Sequence, residues 1–303
     1  MSINIKEVFW TGGFDSTYVV YKFLKEGYFV KPYYILRHQI WQNNEIATLG
    51  NLVTFLNKIG YKNELLDISY IDINDITIDH DLIVAFKKFS GKPYTLPEQY
   101  LFTSKIAESH AGISLGLVRP YNKNFFKHTY RLLTDKGKLK LNSANVGYLD
   151  RRYSNPFVFK VFGNCIFPVI DVTNRTMIDE YKNDGIFDII HLSCTCHYMV
   201  NGKPCGVCDP CITKLGQHMH ELFDESSLRR AYVCNFLEKE GLKYKGIKLS
   251  KLFREYVLYD LLGFNKNLIF YHRLVDNDYN QLCNRFNQLI MDLPEFIDDI
   301  DYV

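Results

Sequence analysis

Two periodicities of apolar residues alternate along the first part of the chain. Short runs of apolar, aromatic and β-branched residues are typical of buried strands, whereas apolar residues three or four positions apart are typical of amphipathic helices. Three strands and two helices are predicted in this way, over Lys6–Trp10, Asp15–Glu26, Tyr28–Leu36, 46–59 and Glu64–Ile71. Strands that alternate with helices indicate βαβ units, so we expect an α/β fold with a Rossmann-like parallel sheet.

The later part of the chain has a different pattern. Helical spacing recurs over Glu98–His110, Phe125–Leu133 and Met177–Asn183. Beyond about Asp224 the helical spacing of apolar residues continues through most of the chain. Ser226 or Ser227 can cap the first helix of this region. We therefore predict a first domain of residues 1–225 and a C-terminal helical extension of residues 226–303. The final PEFIDDIDYV is acidic, and we expect it to be a solvated tail.

Composition narrows the class of protein. The chain has 303 residues, of which 47% are hydrophobic and 23% are charged, so it can bury a sizeable core. Its formal net charge of +2 gives no reason to expect a polyanionic partner. The sequence lacks an apolar run of membrane-spanning length and does not start like a signal peptide. We therefore expect a cytoplasmic protein with no membrane association and with reduced thiols.

The segment TGGFDST, residues 11–17, lies directly between a predicted strand and a predicted helix. Its two glycines let the backbone turn tightly, and the start of the helix presents N–H groups and a positive dipole end to a phosphate. Asp15 fits such a site when it holds Mg²⁺ there. In the alternative interpretation, the segment is an ordinary strand–turn–helix connection in which Asp15 caps the helix.

Five of the eight cysteines lie between Cys194 and Cys211. Two residues separate Cys205 from Cys208 and Cys208 from Cys211, in a polar segment rich in turn residues. Such spacing lets three thiolates converge, and either Cys194 or Cys196 can supply the fourth. Four thiolates favour a structural zinc ion, and an iron–sulfur cluster is the main alternative.

The loop and the cysteines together resemble the QueC family of 7-cyano-7-deazaguanine synthases, within the PP-loop (HUP-type) ATP pyrophosphatases. The loop is similar to the SGGxDS motif of that superfamily, with Thr11 in place of the usual serine. The resemblance spans about residues 6 to 215. It rests on TGGFDST, on Tyr34–His38 followed by Glu45, on Leu96–Gln99, and on the stretch from Pro168 to the CGVCDPC cluster.

This resemblance implies an ATP-dependent carbon–nitrogen ligase of queuosine biosynthesis. Members of the family adenylate 7-carboxy-7-deazaguanine, release pyrophosphate, and use ammonia to form first the amide and then the nitrile. ATP would be bound here by Thr11, Gly12, Gly13, Asp15, Ser16 and Thr17. Asp15, Ser16 and Arg37 would take part in catalysis; the alternative for Arg37 is an ordinary surface cation at the end of a strand.

The family also binds zinc through four cysteines. The resemblance implies that Cys194, Cys205, Cys208 and Cys211 are the ligands here. Cys194 is preferred to Cys196 because Ser193–Cys194 matches a Ser-Cys dipeptide of the family, although the loop that follows is then longer than usual.

The chain departs from the family at three places. Glu98-Gln99 stands where the family has Arg-Asn, Tyr121–Phe125 lies near the position of a GYPDC-like substrate segment, and residues 226–303 exceed the usual length. Two alternatives therefore stay open. The enzyme would conjugate the activated deazaguanine to an amine on a protein or nucleic-acid partner, or the chain would be a non-catalytic, nucleotide-sensing PP-loop subunit.

The expected partners are a small carboxylate and ammonia or an amine, and the C-terminal helices offer a surface for a protein partner. A homodimer is compatible with this interpretation. Sulfur transfer to tRNA is disfavoured, because it would need catalytic cysteines near the middle of the chain and the first 164 residues contain none.

Overall fold

The structure is a computed structural model that describes residues 4–39, 41–90, 94, 96–120, 128–193, 196–199, 203–244, 247–258 and 276–291. The chain divides into two units, residues 1–194 and residues 195–303. The sequence predicted this division at residue 225, so the cysteine segment belongs to the second unit instead of the first. The physical reason is that Arg230 and Ser227 hold this segment, donating hydrogen bonds of 2.8 Å and 2.5 Å to the carbonyl oxygens of Cys205 and Pro204.

The first unit is built on a five-stranded sheet in which every pairing is parallel, with the strands in the order Ser69–Asp72, Phe29–Leu36, Ile5–Phe9, Ile113–Ser114 and Cys165–Ile166. The strands of this unit are β1 (Ile5–Phe9), β2 (Phe29–Leu36), β3 (Ser69–Asp72), β4 (Ile113–Ser114), β5 (Lys140–Leu141), β6 (Gly147–Tyr148) and β7 (Cys165–Ile166). Its helices are α1 (Phe14–Lys25), α2 (Gln42–Leu56), α3 (His80–Lys87), α4 (Gln99–Ala107), α5 (His128–Asp135), α6 (Pro156–Phe162), α7 (Asn174–Asn183) and α8 (Ile189–Leu192). The predicted α/β class with a parallel sheet is confirmed.

Side chains of the first unit pack in two clusters. Phe9, Tyr33 and Ile35 belong to an apolar cluster that also contains residues of α3, α4 and α6. A second, aromatic cluster joins α1 to α7, where Tyr181 lies 5.5 Å from Tyr18 between ring centroids. Because successive side chains of a strand point to opposite faces, this partition is typical of a sheet with helices on both sides.

The predicted strand Glu64–Ile71 is shorter in the structure. Regular pairing with β2 begins only at Ser69, whereas Leu65 makes a single parallel bridge to Val30. The helix predicted over 46–59 begins at Gln42 and is followed by a π-helical turn, Asn57–Tyr61. The segment between the π-helical turn and Ser69 therefore connects α2 to the sheet without regular strand pairing.

The second unit contains α9 (Asp209–Leu215), α10 (Glu225–Lys239), the antiparallel pair β8 (Lys243–Tyr244) and β9 (Ile247–Lys248), α11 (Leu249–Tyr256) and α12 (Asp276–Met291). The helical character was predicted, but the short hairpin was not. Asp224 caps α10 by accepting a hydrogen bond of 3.1 Å from the N–H of Ser227, so neither Ser226 nor Ser227 is the cap.

Three features of the sequence analysis lie outside the described residues: Cys194, the segment Tyr121–Phe125 and the acidic tail 294–303. Among the described helices, none has both the length and the apolar character that crossing a bilayer requires.

Candidate active site and cysteine cluster

The loop between β1 and α1 follows a path that requires glycine at one position. Gly12 has φ of 71°, in the left-handed region that side chains disfavour. A β-carbon at this position would also lie 2.9 Å from Cγ2 of Thr48 on α2. Gly13 is the N-cap of α1 in an extended conformation, and no side chain caps this helix. The alternative in which Asp15 is the cap is therefore wrong; Asp15 lies in the first turn.

The hydroxyl groups of the loop have different surroundings. Ser16 Oγ donates a hydrogen bond of 3.1 Å to Gly13 O and lies 3.3 Å from Thr11 Oγ1. Thr17 is fully buried, and its Oγ1 accepts a 3.0 Å hydrogen bond from Nε1 of Trp10. This side chain therefore anchors the first turn of α1 to the residue that follows β1.

A second glycine brings another strand close to the loop. A β-carbon at Gly116, two residues after β4, would lie 2.7 Å from both N and Cα of Ser16. Real β-carbons are not found so close to backbone atoms, so this approach depends on glycine. The loop is consequently held from two sides, by α2 at Gly12 and by the end of β4 at Ser16.

A cleft of about 100 Å³ opens at the carboxyl ends of β1, β2 and β4. In this sheet β1 lies between β2 and β4, because the chain adds β2 and β3 on one side and then crosses to the other. Ligands of open α/β sheets bind at this kind of switch point. Seven residues that the sequence analysis placed in separate stretches line the cleft, namely Thr11, Ser16, Tyr34, Ile35, Arg37, Glu45 and Gln99.

Glu45 is the acidic group of this cleft. Its Oε2 accepts a 2.6 Å hydrogen bond from the hydroxyl of Tyr34, which is almost fully buried. Burial raises the pKa of Glu45, and the Tyr34 hydrogen bond and the charge of Arg37 partly oppose that rise. The cleft therefore contains a positive group, a desolvated carboxyl group and the hydroxyl groups of several serine, threonine and tyrosine residues.

Other residues of the expected site lie outside the lining of the cleft: Gly12, Gly13, Asp15, Thr17 and Glu98. The sequence analysis missed several lining residues, namely Tyr33, Tyr100, Thr103 and Gly116. A glycine directly after an apolar strand-like run, as in ISLG, is a signal that could have indicated the close approach of Gly116.

The cysteines of the second unit form a compact cluster. One sulfur atom from each of Cys196, Cys205, Cys208 and Cys211 lies within 4.8 Å of the other three, and all four residues are buried. Individual sulfur pairs are 3.4 Å, 3.7 Å and 3.9 Å apart. Four sulfurs bound at about 2.3 Å to one tetrahedral ion would be about 3.8 Å apart, so the donor set fits such an ion. Cys196, the alternative fourth ligand, is in this cluster.

The surroundings of the sulfurs favour negative charge. Sγ of Cys196 accepts the N–H groups of Tyr198 and Cys205 at 3.2 Å and 3.1 Å, and Sγ of Cys205 accepts that of Cys208 at 3.3 Å. Hydrogen bonding among the sulfurs, first with Cys196, lowers the pKa of Cys205 and raises that of Cys208. The opposed directions arise because several thiolates cannot share one buried space without a cation.

The remaining described cysteines differ in burial, and Cys283 is half-buried. Cys165 and Cys234 are almost fully buried, and burial raises the pKa of Cys165 to about 12. Among the described residues, no cysteine forms a disulfide bond.

The chain was compared with protein-family models and with curated proteins. No protein-family model matches the chain, and no curated protein matches it.

Proposed function

We propose that the first unit is an ATP-dependent carbon–nitrogen ligase of the QueC type. It would transfer AMP to a carboxylate, 7-carboxy-7-deazaguanine by resemblance, release pyrophosphate, and pass the activated acyl group to ammonia or an amine. The observation that carries the proposal is the cleft itself. Three stretches of the resemblance, at residues 11–17, 34–45 and 96–99, contribute side chains to one cavity at the switch point of a parallel sheet.

The loop suits the pyrophosphate portion of ATP. The left-handed Gly12 and the extended Gly13 bring the backbone to the start of α1, where helix N–H groups and the dipole favour an anion. Thr11 and Ser16 supply hydroxyl groups at the cleft. Asp15 in the first turn is the residue that would hold Mg²⁺, which neutralises phosphate charge when bound.

Arg37 would stabilise the negative charge that develops on the α-phosphate while the carboxylate attacks it. It lines the cleft near Glu45, whose pKa its charge lowers. A carboxylate is a poor electrophile because an oxide ion is a poor leaving group. Adenylation converts the carboxylate to an acyl adenylate, from which AMP is a good leaving group. The protein then contributes mainly positioning and charge stabilisation.

In the second unit we propose a structural zinc ion held by Cys196, Cys205, Cys208 and Cys211. Four buried thiolates with backbone N–H groups aimed at them leave no open coordination position, which is typical of structural sites. Arg230 is hydrogen-bonded to Cys205 O and adds a positive charge near the thiolates.

The test is to incubate the full chain with ATP labelled at the α-phosphate, Mg²⁺ and 7-carboxy-7-deazaguanine, with and without ammonium. We expect AMP and pyrophosphate, and a product mass that changes only when ammonium is present. Arg37→Met should lower turnover by roughly 10²-fold, the scale for one charge-stabilising group. Arg152→Met, at an exposed arginine paired with Asp150, is the matched control and should change little.

Release of ADP and phosphate would contradict the proposal. Tight ATP binding with no turnover for this carboxylate, with or without amines, would favour the nucleotide-sensing subunit instead.

A further inference from the structure

His38, the residue after Arg37, has an unusual backbone conformation. Its φ is 55°, in the left-handed region that residues with a β-carbon disfavour. Gln42 on α2 holds this conformation, because its Oε1 accepts the N–H groups of Arg37 and His38 at 2.6 Å and 2.8 Å. Backbone strain that specific hydrogen bonds maintain is concentrated at functional sites.

The imidazole ring of His38 is held by a neighbouring strand. Nε2 lies 2.8 Å from Oδ2 of Asp72, at the end of β3. Oδ1 of Asp72 accepts the N–H of Asn74 at 2.8 Å, and this bond, followed by the bond to His38, lowers the pKa of Asp72. Nδ2 of Asn74 also lies 3.3 Å from Nε2, but the contact with Asp72 is shorter. An ionised carboxylate only accepts hydrogen bonds, so Nε2 carries a proton, and in the neutral ring Nδ1 offers a lone pair.

This is the arrangement of a histidine general base oriented by a carboxylate. Within the part of the chain that the structure describes, Nδ1 of His38 makes no hydrogen bond. The side chain is 53% exposed, and His38 directly follows a residue that lines the cleft. Such a position suits a base whose proton comes from a nucleophile that arrives from solvent.

We propose that His38 accepts the proton of the nitrogen nucleophile in the second half of the reaction, and that Asp72 and Gln42 position it. This inference rests on the proposed function. As the C–N bond forms, the C–O bond to AMP breaks and AMP leaves with that electron pair. The nitrogen loses one proton, which moves to Nδ1 of His38. The adenylation half-reaction needs no such base, because its nucleophile is already an anion.

The experiment measures the two half-reactions separately on the full chain. Adenylation is followed as carboxylate-dependent exchange of labelled pyrophosphate into ATP, and nitrogen transfer as amide formation from ammonium. In His38→Gln we expect exchange within about twofold of the wild type and amide formation lowered roughly 10²-fold. His80→Gln, an exposed histidine at the start of α3, is the matched control and should leave both rates unchanged.

Two further measurements distinguish a base from a merely structural residue. Hydroxylamine is a weaker base than ammonia, so its nitrogen gives up the proton more easily after attack, and hydroxamate formation by His38→Gln should fall far less than amide formation. Asp72→Asn should lower amide formation and leave exchange within about twofold of the wild type, because Asp72 fixes the orientation of the imidazole and takes no part in adenylation.

Several results would overturn the inference. Unchanged amide formation in His38→Gln would show that His38 is not the general base. An equal loss of exchange and amide formation would instead assign His38 to nucleotide binding. Absence of exchange in the wild type would overturn the proposed function itself, and this inference with it.

Discussion

The hydroxyl of Tyr34 and the carboxyl of Glu45 are joined by a 2.6 Å hydrogen bond that connects the end of β2 to the first turn of α2. The bond places an ionisable group in the wall of the cleft while removing it from water. A carboxyl group in this position responds to pH differently from one on the surface.

We expect Glu45→Gln to gain stability relative to the wild type as the pH rises from acidic to neutral. Burial raises the pKa of Glu45 above its ordinary value of 4.5, so the wild type loses stability as the pH rises through the folded-state pKa. Glutamine cannot ionise and escapes this loss. Urea unfolding across the pH range measures the difference. Glu26→Gln, at an exposed carboxyl group, is the control, and parallel curves for Glu45→Gln and the wild type would contradict the prediction.

Gly12→Ala should destabilise the protein by roughly 2–4 kcal/mol, from left-handed strain and from contact with Thr48. Gly27→Ala separates the two causes, because Gly27 has φ of 80° but open space around its β position. The unfolding free energy of Gly27→Ala should fall by only roughly 1–2 kcal/mol, the cost of the left-handed backbone. Thr48→Ser removes the contacting methyl group and should restore part of the stability of Gly12→Ala. Additive effects in this double-mutant cycle, measured by urea unfolding, would show that the contact has no role.

Gly116→Ala should weaken the proposed binding of ATP to the first unit and should also lower the stability of that unit. The added carbon would meet backbone atoms of Ser16, which cannot rotate away, so the start of α1 must shift. We expect a loss of roughly 1–3 kcal/mol in unfolding free energy, and calorimetry should register lower ATP affinity. Gly50→Ala, in open space within α2, should instead be neutral or slightly stabilising. If the ATP affinity of Gly116→Ala equals that of the wild type, the end of β4 does not contribute to the ATP-binding site.

Removal of any one sulfur of the cluster should abolish stoichiometric metal binding. Serine variants at Cys196, Cys205, Cys208 and Cys211 should each lose zinc and unfold in the second unit, because metal binding contributes folding free energy directly. Cys194→Ser and Cys283→Ser should keep one metal ion per chain, as measured by elemental analysis of protein purified without chelator. Metal loss in Cys194→Ser with retention in Cys196→Ser would restore the ligand set that the resemblance implied.

The sequence was sufficient to predict the parts that depend on short-range pattern. The alternation of strands and helices identified the parallel sheet, and the spacing of Cys205, Cys208 and Cys211 identified three members of the cluster. Both signals come from local geometry: side-chain periodicity in the first case and tight turns in the second.

The remaining features depend on packing that no local pattern encodes. Ser16 and Thr17 are adjacent hydroxyl residues, but one helical step of about 100° turns the first toward the cleft and the second toward Trp10. The contact between His38 and Asp72 depends on the parallel register that sets Leu36 opposite Asp72. Choosing between Cys194 and Cys196 likewise requires the path of the loop that leads to Cys205.

The bond between Trp10 and Thr17 gives the protein an internal optical reporter. Trp10 is one of two tryptophans in the sequence, its indole is fully buried, and its N–H is bonded to the helix that begins at the loop. The emission of a buried indole depends on the polarity and rigidity of its surroundings. A protein in which Trp41 is replaced by phenylalanine would therefore report movement of the loop and α1 through the fluorescence of Trp10 alone, without any attached dye.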